Sequence, residues 1–310
     1  MELCASLSLD PHIFRTQNRS LQHLKDICKH CCTYIVRSQN GKCEFGFYLP
    51  LESKDHVILS LEGVIIESYW APQLASPLAL VTEVSPWDHV AALHHPNILD
   101  LDIDVKGSPG GTSNFEVATS VVYVDPCTTA KYSIPACPFP ELTDHPISAT
   151  SSPSAIVSLS VKSQNELMKI LKEFLEMGVN VVKVSVSSFL SIFNVTNGEF
   201  SFSMDYKMRP ESKMGKRKRP QDEAYVSEDC ECIVSTNNLL KTMKAFKIPR
   251  ISNASFHLFN KRYLQVHGTH QPGECALYGL LYHMEDSFTQ GMPSSYLEPR
   301  SPPATDQEDN

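Results

Sequence analysis

An internal repeat constrains the fold of this chain more than any other feature of its 310 residues. The four strands that define it begin about 75 residues apart, a period typical of repeat architectures. In each case an apolar strand is followed by the start of a helix, at Leu3–Leu9, Pro77–Val84, Ala155–Val161 and Cys230–Ser235. The chain therefore consists of four similar units, and its length fits two domains of two units each.

A helical pattern follows each of these strands. In the third unit, Ser163 and Glu166 form a capping box and Gly178 ends the helix. In the second unit, Ser85 is the expected N-cap and Pro86 the first helical residue. We predict the other helices at Pro11–Cys32, Ser163–Met177 and Thr236–Phe246.

Each helix is followed by segments that alternate between apolar and polar residues or run apolar, as strands do. Asn40-Gly41 and Asn197-Gly198 are strong hairpin turns between such segments. The sequence thus predicts four βαβββ units. We expect an α+β fold in two domains, with the helices on one face of antiparallel sheets.

Polar stretches mark the domain boundaries. Residues 125–153 contain six prolines, which is typical of a linker or a binding loop. A polar insert covers 208–229, and the tail after Met284 is rich in Pro, Ser and acidic residues, so we expect it to be disordered. The predicted domains are 1–124 and 154–284, joined by the connector 125–153 and followed by the tail 285–310.

The net charge of −8 hides an asymmetry. Residues 1–150 have 9 basic against 17 acidic side chains, a net charge of −8, and residues 284–310 have 1 against 6, a net charge of −5. Residues 151–283 have 17 against 12, a net charge of +5. Such asymmetry indicates a polyanionic partner or charged tails.

Several function classes are disfavoured by what the sequence lacks. No run of 18 apolar residues could cross a membrane as a helix, and Met1–Asp10 lacks the features of a secretory signal. The ten cysteines are therefore expected to be thiols. GxSxG, Walker and HExxH motifs are missing, so we expect no catalytic residues and no cofactor.

Two clusters raise the question of a metal site. Cys28, Cys31 and Cys32 could supply zinc ligands, but a structural site needs four, and Cys230 and Cys232 could join only if the fold brought them near. Three alternating aspartates share one face of a strand, at Asp100, Asp102 and Asp104. We expect buried or surface thiols, a solvated acidic face and no metal.

The second half carries a family resemblance. Two domains of paired βαβββ units resemble the architecture of sliding clamps. The stretches Ile156–Lys207, ending in Ser-Met-Asp205-Tyr-Lys207, and Cys232–Met284, with its Lys-Ile-Pro-Arg250 corner, are similar to the gammaherpesvirus DNA polymerase processivity factors. This resemblance implies a non-catalytic subunit, forming a homodimer, that holds the catalytic subunit of the viral DNA polymerase on double-stranded DNA. The short acidic tail departs from the long basic or Gly/Pro-rich tails of that family.

In a clamp the helices face the DNA, where Lys and Arg contact phosphates without reading bases. In the fourth helix Lys241, Lys244 and Lys247 recur every three residues opposite the apolar face, with no acidic residue between Thr236 and Lys247. The second helix has no Lys or Arg, so its contribution should be small. Further candidates are Lys162, Lys169 and Lys172 in the third helix and Arg15, Arg19, Lys25 and Lys29 in the first. The alternative for each set is an ordinary solvated helix face.

A basic cluster lies in the polar insert, at Lys216, Arg217, Lys218 and Arg219. It is interpreted as a nuclear import signal, which predicts a location in the host nucleus, or as an extra phosphate contact. The alternative is a solvated loop.

The connector exposes apolar residues in an extended Pro-rich segment. Because clamps offer such segments to partner peptides, the resemblance implies polymerase contacts at Ile134, Pro135, Phe139 and Leu142. The alternative is a connector packed on its own domain.

The sequence thus favours a DNA polymerase processivity factor of the herpesvirus type. An alternative with the same fold is a subunit of a cellular checkpoint clamp. An alternative of another class is a small enzyme or scaffold in which the repeat is illusory.

Overall fold

The described part of the chain has three helices and two sheets, in which all strand pairs are antiparallel except that of Lys207–Met208 with Glu223–Val226. The computed structural model describes residues 2–38, 41–61, 63–72, 74, 78–82, 85–86, 98–107, 115–123, 129–138, 152–187, 192–205, 207–208, 223–226, 228–247, 254–269 and 275–284. Within these residues the helices are α1 (Pro11–Lys25), α2 (Val161–Glu176) and α3 (Thr236–Ala245). No helix in this part of the chain is long and apolar enough to cross a membrane.

The strands of the first half follow the predicted pattern and add to it. They are β1 (Glu2–Leu9), β2 (His30–Arg37), β3 (Cys43–Pro50), β4 (His56–Ser60), β5 (Ile65–Trp70), β6 (Leu78–Thr82), β7 (Ser85–Pro86), β8 (Ile98–Gly107), β9 (Phe115–Tyr123) and β10 (Thr129–Pro138).

The strands of the second half include two within or beside the polar insert. They are β11 (Ala155–Ser158), β12 (Val181–Ser187), β13 (Ile192–Thr196), β14 (Ser201–Asp205), β15 (Lys207–Met208), β16 (Glu223–Val226), β17 (Cys230–Ser235), β18 (Ser255–Phe259), β19 (Tyr263–Thr269) and β20 (Ala276–Tyr282).

Side-chain caps fix where the helices begin. The Asp10 carboxylate accepts the His12 N–H at the start of α1, Ser160 Oγ accepts the Ser163 N–H in α2, and Ser235 Oγ accepts the Asn238 N–H in α3. Such caps satisfy amide groups that have no partner inside the helix. The cap predicted at Ser163 is therefore wrong by one turn, because Ser160 is the N-cap and Ser163 lies inside the helix.

Sixteen of the described strands form one sheet, which runs through both halves of the chain. Its order is β15-β16-β11-β18-β19-β20-β4-β3-β2-β6-β10-β9-β8-β1-β5, with β7 beside β2, and a second sheet has the order β14-β13-β12-β17. The halves meet where β20 pairs antiparallel with β4, from Ala276 opposite Ser60 to Leu280 opposite His56. The two predicted domains are thus joined by backbone hydrogen bonds.

Apolar side chains cover both faces of the sheet at this junction. Alternate residues of a strand point to opposite faces. Val57 and Leu59 of β4 belong to the main core, whereas Ile58 packs in a second cluster on the other face. The rest of that second cluster comes from Cys32, Tyr34, Ala79, Val81, Ala276 and Tyr278.

Three local predictions fail. Ser85 and Pro86 form β7, which pairs with His30 and Cys31, so the second helix does not start there, and residues 87–97 lie outside the described part. Helix α1 stops at Lys25, because the backbone from His30 onward enters the sheet. Residues 129–138, assigned to the connector, form β10, which pairs with β9 and, at its end, with β6.

Gly279 allows α3 to pack directly against β20, the strand of the second half that pairs with β4. A Cβ atom at Gly279 of β20 would lie 2.2 Å from Thr242 Cγ2 of α3. The Thr242 hydroxyl is buried and has no hydrogen-bond partner among the described residues. The close approach of helix and sheet therefore requires a residue without a Cβ atom at position 279, which is Gly279.

We predict that Gly279→Ala destabilises the protein by about 1–3 kcal/mol, as overpacking of a close-packed core does. Thermal and urea unfolding measure this change. Adding Thr242→Ala, which removes the clashing methyl group, should restore most of the loss. An unchanged stability of Gly279→Ala alone would contradict the described contact.

Candidate nucleic-acid interface

The three helices form one connected layer. Helices α2 and α3 pack against each other, and α1 reaches α3 through the His23 Nε2–H, which donates to the Lys244 carbonyl oxygen at 2.8 Å. Cys28, just after α1, lies close enough to Lys241 for an electrostatic interaction with its ammonium group. Burial raises the pKa of the Cys28 thiol to about 11, and the Lys241 ammonium opposes that shift. The C-terminal ends of α1 and α3 therefore meet.

The predicted lysine stripe of α3 lies on its solvent side. Leu239, Leu240 and Met243 are buried, whereas Lys247 is exposed and Lys241 and Lys244 are half-buried. Lys25 and Lys29, at and after the end of α1, are also exposed. Among the described residues no carboxylate lies within ion-pair distance of the cations gathered at this meeting point, which are Lys25, Lys29, Lys244 and Lys247.

Lys241 differs from its neighbours, because the first half of the chain supplies a carboxylate to it. Its Nζ lies 3.3 Å from Oε1 of Glu52, in the loop between β3 and β4, and the same oxygen accepts the Asn237 Nδ2–H at 2.9 Å. The Lys241 side chain is 31% exposed. Sequence reasoning missed this pair, since the partners are 189 residues apart and no local signal links them.

The loop that carries Glu52 also holds α3 in place. The buried Asp55 accepts the Asn238 Nδ2–H at 2.7 Å and the Tyr282 backbone N–H at 2.8 Å. Burial raises the pKa of the Asp55 carboxyl above its usual value, and these two hydrogen bonds act in the opposite direction. A first-half carboxyl group thus fixes the start of α3 and the end of β20.

The cations of α2 are matched by acidic side chains of the same helix. Lys162 lies 3.8 Å from Glu166, and Lys169 lies 3.8 Å from Glu173, in exposed i,i+4 pairs. Lys172 is exposed and has no such partner among the described residues. Arg15 and Arg19 belong to α1, but their side chains lie outside the described part. The structure therefore concentrates unpaired positive charge at the α1–α3 end of the layer.

The predicted polymerase-binding segment begins in a strand. Pro135 is exposed, but Ile134 is half-buried on the other side of β10, so Ile134 does not offer an apolar anchor to solvent. Its neighbour on the same side, Tyr132, packs against the core. Phe139 and Leu142 lie outside the described residues, as do the basic cluster Lys216–Arg219 and the tail 285–310.

The predicted cysteine and aspartate clusters differ in burial. Cys28, Cys31, Cys32, Cys230 and Cys232 are buried thiols. Within the described ranges no group of three or more His, Cys, Asp or Glu side chains could hold a metal ion. On β8, Asp102 and Asp104 alternate with buried apolar residues, and Asp104 Oδ1 accepts the Ser6 hydroxyl at 2.7 Å.

Comparison with known families identifies the chain. The model of the herpes DNA replication accessory factor family matches residues 103–306, about two thirds of the sequence. The chain belongs to this family. The family assignment agrees with the function predicted from the sequence, that of a herpesvirus DNA polymerase accessory factor.

Solved structures support the fold. Two crystal structures of PF-8, the DNA polymerase accessory subunit from Kaposi's sarcoma-associated herpesvirus, have TM-scores of 0.71 and 0.72, with 18% identity over 91% of this chain and 100% of theirs. The proliferating cellular nuclear antigen of Entamoeba histolytica has a TM-score of 0.48, with 15% identity over 91% of this chain and 100% of its own. No curated protein matches the sequence. The likeness to PF-8 confirms the predicted fold class, an α+β fold of mostly antiparallel strands with few helices.

Proposed function

We propose that this accessory factor is a non-catalytic subunit that binds double-stranded DNA through the layer formed by α1, α2 and α3. The observation that carries the proposal is a group of lysines where α1 and α3 meet that have no ion-pair partner among the described residues, at Lys25, Lys29, Lys244 and Lys247. Ammonium groups on helix surfaces contact phosphates whatever the base sequence. Binding of this kind releases counterions and lets a protein slide along the duplex.

The other candidate cations differ in how readily they can contact a phosphate. Lys172 extends the same surface along α2, where Lys162 and Lys169 must leave exposed ion pairs with Glu166 and Glu173 to reach a phosphate. Exposed pairs contribute about 0–1 kcal/mol, so this exchange costs little. Arg15 and Arg19 of α1 complete the proposed contact set.

A tether to the catalytic subunit of the viral DNA polymerase completes the mechanism. We place it at the segment that starts at the exposed Pro135 and continues through Phe139 and Leu142. Main-chain pairing with apolar anchors is the expected mode of contact. A polymerase held in this way dissociates less often, because the accessory factor keeps its hold on the duplex during each step.

We predict that Lys244→Glu with Lys247→Glu weakens binding to a random-sequence DNA duplex and lowers the slope of log affinity against log salt by about 2, one for each lost phosphate contact. Fluorescence anisotropy at several salt concentrations measures both quantities. The matched control is Lys106→Glu with Lys261→Glu, which makes the same charge change on side chains outside the helical layer.

A variant that is expected to strengthen DNA binding complements this experiment. Glu52→Gln should raise the affinity and steepen the slope by up to about 1, because it frees Lys241 for a phosphate. Equal losses in the two lysine double variants, or an affinity that does not depend on salt, would refute the assigned surface.

We also propose that the chain forms a homodimer through β10. This strand pairs with β9 along Thr129–Ala136 but with β6 only over Ala136–Pro138. Among the described residues, no strand therefore pairs with the side of Thr129–Pro135 that faces away from β9. An unpaired edge is a template for another chain, and two copies of one edge can pair about a twofold axis.

Analytical ultracentrifugation should then give about twice the chain mass of 34.6 kDa. Hydrogen exchange at two protein concentrations should show protection of residues 129–135 that rises with the dimer fraction. A mass of one chain at about 10 μM would overturn the dimer, and protection elsewhere would overturn the interface.

We propose a nuclear location, carried by the basic cluster Lys216–Arg219. Replacing these four residues by alanine in a fluorescently tagged chain should shift the signal to the cytoplasm. Alanine at Lys42 and Lys106, two lysines outside the proposed DNA-binding surface, is the control and should leave the location unchanged. Undiminished nuclear accumulation of the four-residue variant would contradict the proposal.

A further inference from the structure

An apolar pocket lies at the C-terminal end of α2, on the part of the helix that faces the β13–β14 hairpin. It has a volume of about 530 Å³. Its apolar wall comes from Ile170, Phe174, Met177 and Phe200. No role in DNA binding or in the polymerase tether uses these residues, so the pocket needs an explanation of its own.

Two large apolar side chains are left exposed around this pocket. Met177 and Phe200 are each 52% exposed. Single exposed apolar residues need no explanation, whereas exposed apolar side chains that lie together form a patch of the kind that interaction sites use. The pocket is therefore open to solvent beside these two side chains and is not a gap inside the core.

The hairpin holds Phe200 in its exposed position. Asn197 Oδ1 accepts the Glu199 N–H at 3.0 Å and the Phe200 N–H at 2.7 Å, and Gly198 adopts a positive φ of 99°. These features form a tight turn. Because the turn fixes the backbone of Phe200, the pocket wall is formed before any partner arrives.

The rim of the pocket is negatively charged. Glu173 and Glu176 line it, and Glu199 is exposed next to Phe200. The last turn of α2 has no basic residue, and a helix C-terminus itself carries partial negative charge. Among the described residues, the one ion pair of these glutamates is the exposed contact of Glu173 with Lys169, at 3.8 Å. A cationic group beside an apolar anchor therefore complements this surface.

The neighbouring strand offers main-chain contacts to the same partner. β14 pairs with β13 on one side, and within the described residues no strand pairs with its other side. A second copy of the chain is a poor occupant, because a twofold contact would place the two acidic rims against each other.

We propose that this pocket docks an extended segment of a partner protein that has an aromatic or aliphatic anchor flanked by lysines or arginines. The anchor fills the space between Ile170 and Phe200, and the flanking cations pair with Glu173, Glu176 and Glu199. This proposal does not depend on the proposed DNA surface.

The test uses the full chain and a fluorescein-labelled peptide amide of sequence Lys-Lys-Leu-Lys-Phe-Lys-Lys as the probe. Anisotropy should show saturable binding, and Phe200→Ser and Glu176→Lys should each weaken it about tenfold or more. The matched controls are Leu99→Ser, at a residue 53% exposed on β8, and Glu67→Lys, at an exposed residue of β5. Both controls should bind the probe as the unchanged chain does. Thermal unfolding confirms that all four variants fold.

The same experiment distinguishes this proposal from other occupants of the pocket. Equal loss in the control variants, or no saturable binding up to about 1 mM, would overturn the proposal. Binding that strengthens when residues 213–219 are deleted would assign the pocket to the chain's own basic segment instead. A halved molar mass in Phe200→Ser would assign it to a second copy.

Discussion

The pairing of β4 with β20 is the interaction on which the rest of the structure depends. It joins strands that are more than 200 residues apart, at Gly279 opposite Val57 for example. The entropic cost of closing so long a loop grows only logarithmically with its length, so burial of apolar side chains on both faces of the sheet can offset it. The same pairing sets the position of α3, because Gly279 lies beneath Thr242 and the loop before β4 reaches the start of that helix through Asp55.

This joint gives the lysines of α3 unequal environments. Lys241 shares Glu52 with Asn237, whereas Lys244 and Lys247 lie one and two turns further on, next to the end of α1. A phosphate that approaches Lys241 must therefore compete with a carboxylate from the other half of the chain. Because an exposed ion pair contributes little, a phosphate bound at Lys241 in the proposed complex would displace Glu52 at a small cost in free energy.

The strands that begin the four predicted units could be recognised from the sequence because they depend on local patterns. All four repeat strands appear within two residues of their predicted starts, and α2 and α3 differ from prediction by two residues or fewer at each end. β10 was missed because Pro135 and Pro138 favour a loop, yet proline is tolerated where a strand has an unpaired edge. Helix α1 was predicted too long, since Cys28 and Cys31 continue its apolar face although Cys31 belongs to β2. The pair of Glu52 and Lys241 could not be predicted, because it depends on strand pairing between distant segments.

The negative net charge is compatible with a DNA-binding surface because the fold sorts charge by face. In the first-half part of the large sheet, Asp102 of β8 lies opposite Ser8 of β1 and Ser120 of β9. Ser8 in turn lies opposite Glu67 of β5, so acidic and hydroxyl side chains share one face of the sheet. The buried residues that alternate with them, such as Ile103, belong to the core. The charge of this face repels a polyanion, whereas the proposed DNA-binding surface has the opposite charge, from the lysines at the ends of α1 and α3. A net charge of −8 is therefore compatible with the proposed binding of a polyanion at the helices, because the charge of each face matters more than the sum over the chain.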